Sequence, residues 1–157
     1  MSLKLFEAIA RRSLEVSNKD QEVDLKSHPF DLRNVHPELP KKVQLLFDDG
    51  HYAEATFEAF KYVDKIVQKL SLSKDTGVKL MMSAFSEDNP KLRLNDLLTS
   101  TDIDEQKGYR FLFSGAVMAI RNPRGHEVDV NDDPDTCLDH LALASLLLRR
   151  LELSGLE

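Results

Sequence analysis

A chain of 157 residues, 41% hydrophobic and 31% charged, has the size and balance of one globular domain around one core, which excludes wholesale disorder. The single cysteine, Cys137, can neither close an internal disulfide nor build a cysteine metal cluster, and a reducing, cytoplasmic setting is expected. A formal net charge of −6 argues against general nucleic-acid binding, so any contact with RNA or DNA must come from a local basic patch.

In chain order, Ser2 to Ser17 reads as an amphipathic helix, with Leu3, Phe6, Ala10 and Leu14 at helical spacing. Its interleaved charges rule out a continuous signal core. Asn18 to Ser27 is a polar linker, and Pro29, Pro37 and Pro40 then predict an extended, irregular segment. Lys41 to Asp49 predicts a short helix stopped by Gly50. His51 to Leu70 predicts a second, forming a hairpin with the first, with Ala59, Val63, Ile66 and Leu70 as its apolar stripe and Lys61, Asp64, Lys65 and Lys69 off it.

Ser73 to Phe85 predicts a helix weakened by Gly77. Leu92 to Asn95 alternates like a strand but is too short to carry a sheet. Asp102 to Arg121 predicts a long helix with Tyr109, Leu112, Phe113, Ala116 and Ile120 on one period. Asp133, followed by Pro134, is an N-cap candidate for a last helix reaching Leu153, apolar almost all round and so buried on more than one side. Its most apolar run, Leu141 to Leu148, falls far short of the roughly 20 residues of a bilayer span. No membrane partner is expected. The reading is all-α: an N-terminal helix and linker over residues 1–27, then a compact helical bundle over 28–157.

One segment suggests chemistry, Arg121-Asn122-Pro123-Arg124-Gly125-His126. Pro123 should end the long helix near Arg121, Asn122 could cap a fresh turn, and Gly125 permits close backbone approach. Two guanidinium groups and an imidazole would then gather at a helix break. A guanidinium matches phosphate oxygens and stabilises charge developing on five-coordinate phosphorus. An imidazole moves protons near neutral pH. RNA brings its own 2′-hydroxyl nucleophile, so Arg121 and His126 form a minimal kit for metal-independent RNA cleavage, with Asn122 and Arg124 as further phosphate contacts. The plainer alternative is a helix-ending turn with surface charges.

The other histidines read as ordinary: His28 and His36 beside prolines, His51 in a first helical turn, and His140 near Asp135 and Asp139. Arg33-Asn34-Val35-His36 echoes the motif at the wrong spacing. No histidine pair has metal-site spacing, and the acids from Glu127 to Asp135 read as a solvated helix cap. No glycine-rich phosphate loop is present, and Ser114-Gly115 lies mid-helix, unlike a hydrolase elbow. Neither metal nor cofactor is expected.

The stretch Phe113 to Glu127, with Arg121, the polar Asn122 and His126 after four intervening residues, resembles the signature of the HEPN superfamily. Gly50 to Asp64 and the leucine-rich last helix resemble the Ymh-type bacterial family within it. The resemblance covers roughly Phe30 to Leu153. It implies a HEPN-type bundle with an added N-terminal helix. It also implies a homodimer that cuts RNA without metal in a cleft at the dimer interface, in phage defence, abortive infection or a toxin system, with a neutralising partner protein in some cases. Arg121 would hold the scissile phosphate and His126 would act as general base or acid. Val128 stands where some HEPN toxins carry a modified tyrosine, so that regulation is not expected. Other HEPN domains bind a partner protein, a nucleotide or RNA without catalysis, and the sequence is compatible with that.

Overall fold

The computed structural model describes residues 27–127 and 129–156; the expected helix Ser2 to Ser17 and Val128 lie outside them. Chain contacts divide the protein into Met1–Leu32 and Arg33–Glu157. Of the first unit, the described part is a short helix, α1 (Pro29–Leu32), preceded by His28, whose Nδ1 accepts from the Phe30 amide at 3.1 Å.

The second unit is all-helical among the described residues. Its elements are α2 (Lys41–Asp48), α3 (Tyr52–Leu70), α4 (Gly77–Ala84), α5 (Ser100–Ala116), a π-helical turn (Val117–Arg121), α6 (Asn122–His126) and α7 (Pro134–Leu153). Helix α3 is the axis: α2, α4, the π turn, α6 and α7 all pack on it. It presents Ala55, Thr56, Ala59, Phe60, Val63 and Val67 to the core, and apart from Phe60 these small and β-branched side chains let several helices approach at once. Phe85 and Phe113 stack at 4.4 Å where α5 meets the end of α4.

Local chemistry sets the boundaries. Gly50, at φ +80°, ends α2 in a Schellman turn: His51 donates to the Leu46 carbonyl at 2.8 Å and Gly50 to Phe47 at 3.0 Å. Asp133 caps α7 as expected, accepting from the Thr136 amide at 3.0 Å. Helix α5 begins two residues before the expected Asp102, because Thr99 and Asp102 form a reciprocal capping box. Gly77 opens α4 at φ +62° and donates to the buried Asp64 carboxylate at 2.7 Å, so it starts the helix instead of weakening its interior.

Leu92 to Asn95 forms no strand, in line with its shortness, and one further expectation, on α5, is corrected. Leu92 and Leu94 are buried on alternate positions; the Leu92 amide donates to the Ala84 carbonyl at 2.9 Å, and a side chain supplies much of the remaining backbone pairing. Buried Gln106 donates to the carbonyls of Leu92 (2.9 Å) and Phe85 (3.2 Å) and accepts from the Leu94 amide (2.9 Å). One amide group satisfies what a neighbouring strand would otherwise supply. On α5 the inward face is Gln106, Phe113 and Ala116, whereas Phe111 and Leu112 face outward at 52% and 46% exposure.

The proline-rich segment is strapped across α7. The His36 amide donates to Ser145 Oγ at 2.9 Å, its Nε2 meets Glu152 at 2.9 Å, and Arg149 donates to the Asn34 carbonyl at 2.6 Å. His36 is therefore a buried structural anchor.

Candidate functional site: a cationic bend over Phe57

The long helix does not break at Pro123. Arg121 (φ −70°, ψ −47°) and Asn122 (φ −64°, ψ −45°) keep helical backbone, so Asn122 is not the cap of a fresh turn. Instead the helix widens: the Asn122 amide donates five residues back, to the Val117 carbonyl. A proline in a regular helix collides with the carbonyl four residues before it and lacks the amide that carbonyl needs. The wider π turn relieves the collision and lets the chain continue to His126, where Glu127 turns extended.

Phe57, on α3, organises this bend. The Arg121 guanidinium carbon lies 5.3 Å from the ring centroid and the Lys61 ammonium 5.9 Å from it. Gly125 rests on the ring edge, so close that a Cβ there would fall 2.7 Å from Phe57 Cε2. The glycine is required by the close backbone approach expected for it.

The two arginines of the motif end differently. Arg124 grips Asp132 through two bonds of 2.6 Å and donates a third, of 2.8 Å, to the Ile120 carbonyl. Both side chains are buried, at 9% and 6% exposure. Arg121 donates to Asn122 Oδ1 at 3.1 Å, its Nε is buried without a partner, and it meets no carboxylate among the described residues. Half-buried Arg110 and Arg150, which also have unpartnered Nε atoms, are matched by Glu87 (2.7 Å) and Glu105 (3.2 Å). Arg121 thus keeps unused donor capacity and a charge that no carboxylate among the described residues neutralises.

His126 is exposed at the end of α6 and makes no hydrogen bond or ion pair among the described residues. Five residues of helix place it about 7.5 Å along the axis from Arg121 and about 140° around it. On such a helix the two residues start from different faces. The structure joins Arg121 to Asn122 and Arg124 to Asp132, and among the described residues no hydrogen bond or ion pair joins Arg121 to His126.

His140 was not expected here. Its Nδ1 is buried without a hydrogen bond, 4.0 Å from Asp132, beside the Arg124 pair. Burial lowers its pKa and the Arg124 charge lowers it further, against opposing pulls from Asp132 and Asp139. Phe57 was equally unforeseen, and Asp132, expected in a solvated helix cap, is instead buried against Arg124. The one sequence signal for Phe57 is an aromatic residue off the apolar stripe of its helix. Cys137 is buried and inert: burial raises its thiol pKa, and Thr56 donates to its sulfur at 3.5 Å. Among the described residues no three His, Cys, Asp or Glu side chains are grouped to hold a metal ion, and no helix is long and apolar enough to cross a membrane.

Among the described residues, fold and site define the second unit as a compact all-α bundle whose distinguishing feature is a basic, π-widened helix bend. The chain belongs to the family described as "Protein of unknown function (Hypoth_ymh)", whose family model matches residues 33–151. No curated protein and no solved structure gives a significant match to the chain.

Proposed function

We propose that the protein is a metal-independent endoribonuclease of the HEPN type, acting as a cytoplasmic homodimer in phage defence or a toxin system. The observation that carries the reading is Arg121: a half-buried guanidinium on an aromatic ring, at a π turn, with a free buried donor and no carboxylate. Such a group is prepared for a phosphate, and π turns recur at functional sites. Asn122 orients the guanidinium through its 3.1 Å bond. Arg124 acts through Asp132, holding the bend as a positioning residue.

The divergence of Arg121 and His126 makes a second copy part of the proposal. The outer side of the same helical run carries exposed Phe111, Leu112 and Met118, at 52%, 46% and 59% exposure, and a Cβ at Gly115 would meet nothing. Apolar surface of that kind suits a self-complementary interface. In the reaction, one His126 takes the proton of the ribose 2′-hydroxyl and the 2′-oxygen bonds to phosphorus. The bond to the 5′-oxygen breaks, and that oxygen takes a proton from the imidazolium of the second copy. Arg121 stabilises the five-coordinate phosphorus between these steps.

The purified protein should cleave RNA in the presence of a chelator and leave a 2′,3′-cyclic phosphate, with Arg121→Ala and His126→Ala inactive. If it cuts no RNA and both variants match the parent in slowing cell growth, the nuclease reading is wrong. The same divergence favours a second reading, a non-catalytic module in which Arg121 grips a phosphate or carboxylate of a partner protein, a nucleotide or RNA. In that case Arg121→Ala abolishes binding whereas His126→Ala changes nothing.

A further inference from the structure

The net charge of −6 requires that RNA be met by a local basic surface, and the fold supplies one that the motif does not contain. Lys61, Lys65 and Lys69 recur every four residues along α3 and continue the position of Phe57. They therefore form one slanting ridge that starts at the ring holding Arg121 and runs about 18 Å toward the end of the helix. Lys74 extends it in the loop after α3, and Lys65, Lys69 and Lys74 border a single open concavity with Gln68, Leu72 and Ser73.

Lys61 is paired with Glu58, but beyond it the acids of α3 do not neutralise the ridge. Asp64 is buried and accepts from Gly77. Glu54 sits at the other end beside His51. Partial burial pushes the Glu58 carboxyl up, but Lys42 and Lys61, each 3.2 Å away, outweigh this and hold it below its ordinary range. Lys65 donates only to the neutral Gln68 at 3.1 Å, and Lys69 and Lys74 form no ion pair among the described residues. Lys69 also borders the groove that contains Glu38 and Glu152 without pairing to either. At the far end Leu72 is 92% exposed with φ +49°, a backbone conformation that usually selects glycine. It offers an apolar contact beside the cations.

We propose that Lys65, Lys69 and Lys74 form a track for the backbone of single-stranded RNA leading to Arg121. The inference rests on the nuclease reading for the identity of the strand. Successive ammonium groups rise about 6 Å along the helix, suiting a chain that carries one charge per residue. Continuity with Arg121 favours a phosphodiester strand over an acidic polypeptide.

The test uses the full chain carrying His126→Ala and a fluorescein-labelled oligouridine about twelve nucleotides long, with anisotropy followed between about 50 and about 200 mM salt. Each phosphate contact to a single strand contributes about 0.7 to the slope of log affinity against log salt. Lys65→Gln, Lys69→Gln and Lys74→Gln together should flatten the slope by about 2, so the parent loses about 20-fold more affinity over that range than the triple variant. These side chains are exposed, so the melting temperature should hold. Equal slopes would overturn the track. So would a ridge that binds a polyglutamate peptide of matched charge while RNA binding ignores the three substitutions. Cleavage by the parent chain, with Arg121→Ala as its control, reports separately on the nuclease. A flattened slope without any cleavage leaves the track standing and removes the nuclease; cleavage with an unchanged slope does the reverse.

Discussion

Arg121 and Arg124 stand one helical turn apart on the same bend, yet their guanidinium groups end in opposite electrostatic circumstances. Arg124 is closed: buried, held by both oxygens of Asp132 and tied to the Ile120 carbonyl. Arg121 is open: it lies on Phe57 with one neutral hydrogen-bond acceptor and a vacant buried donor. A closed arginine contributes to the architecture, because removing its partner strands a buried charge. An open one leaves a donor unsatisfied, and in the proposed reading a phosphate takes it. The difference teaches that two identical residue types in a short motif can divide support from chemistry.

The largest effect expected from this contrast is on activity. Arg121→Ala should lower RNA cleavage by about 100-fold to 1,000-fold, as loss of a charge-stabilising donor does, while thermal melting stays close to the parent because no ion pair is lost. A large drop in melting temperature would show Arg121 to be closed after all. Asp132→Ala should reverse the pattern, costing about 3–5 kcal/mol of folding stability in urea unfolding. If it unfolds no more readily than the parent, the buried pair is not holding the bend. Smaller again, Gly125→Ala must push the Phe57 ring aside, at about 1–3 kcal/mol. It should reduce cleavage as well, since the ring also seats Arg121; unaltered activity would separate Phe57 from the site.

The helical framework was readable because its signals are local. The Gly50 stop and the Asp133 cap each depend on a few neighbouring residues and lie where expected; of the α3 stripe Ala59 and Val63 are buried but Ile66 and Leu70 only partly so, and Asp64, expected off the stripe, is buried where Gly77 donates to it. The motif was readable as residue types, but its geometry was not. Proline was expected to end the helix, whereas the backbone absorbed it by widening to an Asn122–Val117 hydrogen bond. Phe111-Leu112-Phe113 offers three consecutive apolar side chains, and packing against Phe85 selected Phe113 for the core. Gln106 looked like any polar helix residue until the turns around Phe85 and Leu92 supplied its partners. His140 joined the site because Arg124 draws Asp132 and its loop back over α7, a long-range event without a periodic trace. The lysines of α3 were visible as residues off the apolar stripe; their continuity with Arg121 needed Phe57 in place.

The smallest expected effect, on pH dependence, tests the closed side of the bend through His140. Burial first and the Arg124 charge second keep its folded-state pKa below the ordinary histidine value, while Asp132 and Asp139 only partly offset them. The unfolded chain therefore binds a proton near pH ~6.5 that the folded chain refuses. Stability depends on the difference in bound protons, so His140 costs nothing well above that pH and destabilises progressively as the pH falls through it. His140→Gln should remove this part of the acid-side loss. The stability gap between pH ~7.5 and pH ~5.5 should be narrower in the variant than in the parent by urea unfolding. Because Arg124 supplies part of the effect and Arg121 does not appear among its causes, Arg121→Ala should leave the parent's gap unchanged. An Arg121→Ala variant whose acid limb shifted as far as that of His140→Gln would mean that the two arginines share one electrostatic environment, and the division between them would fail.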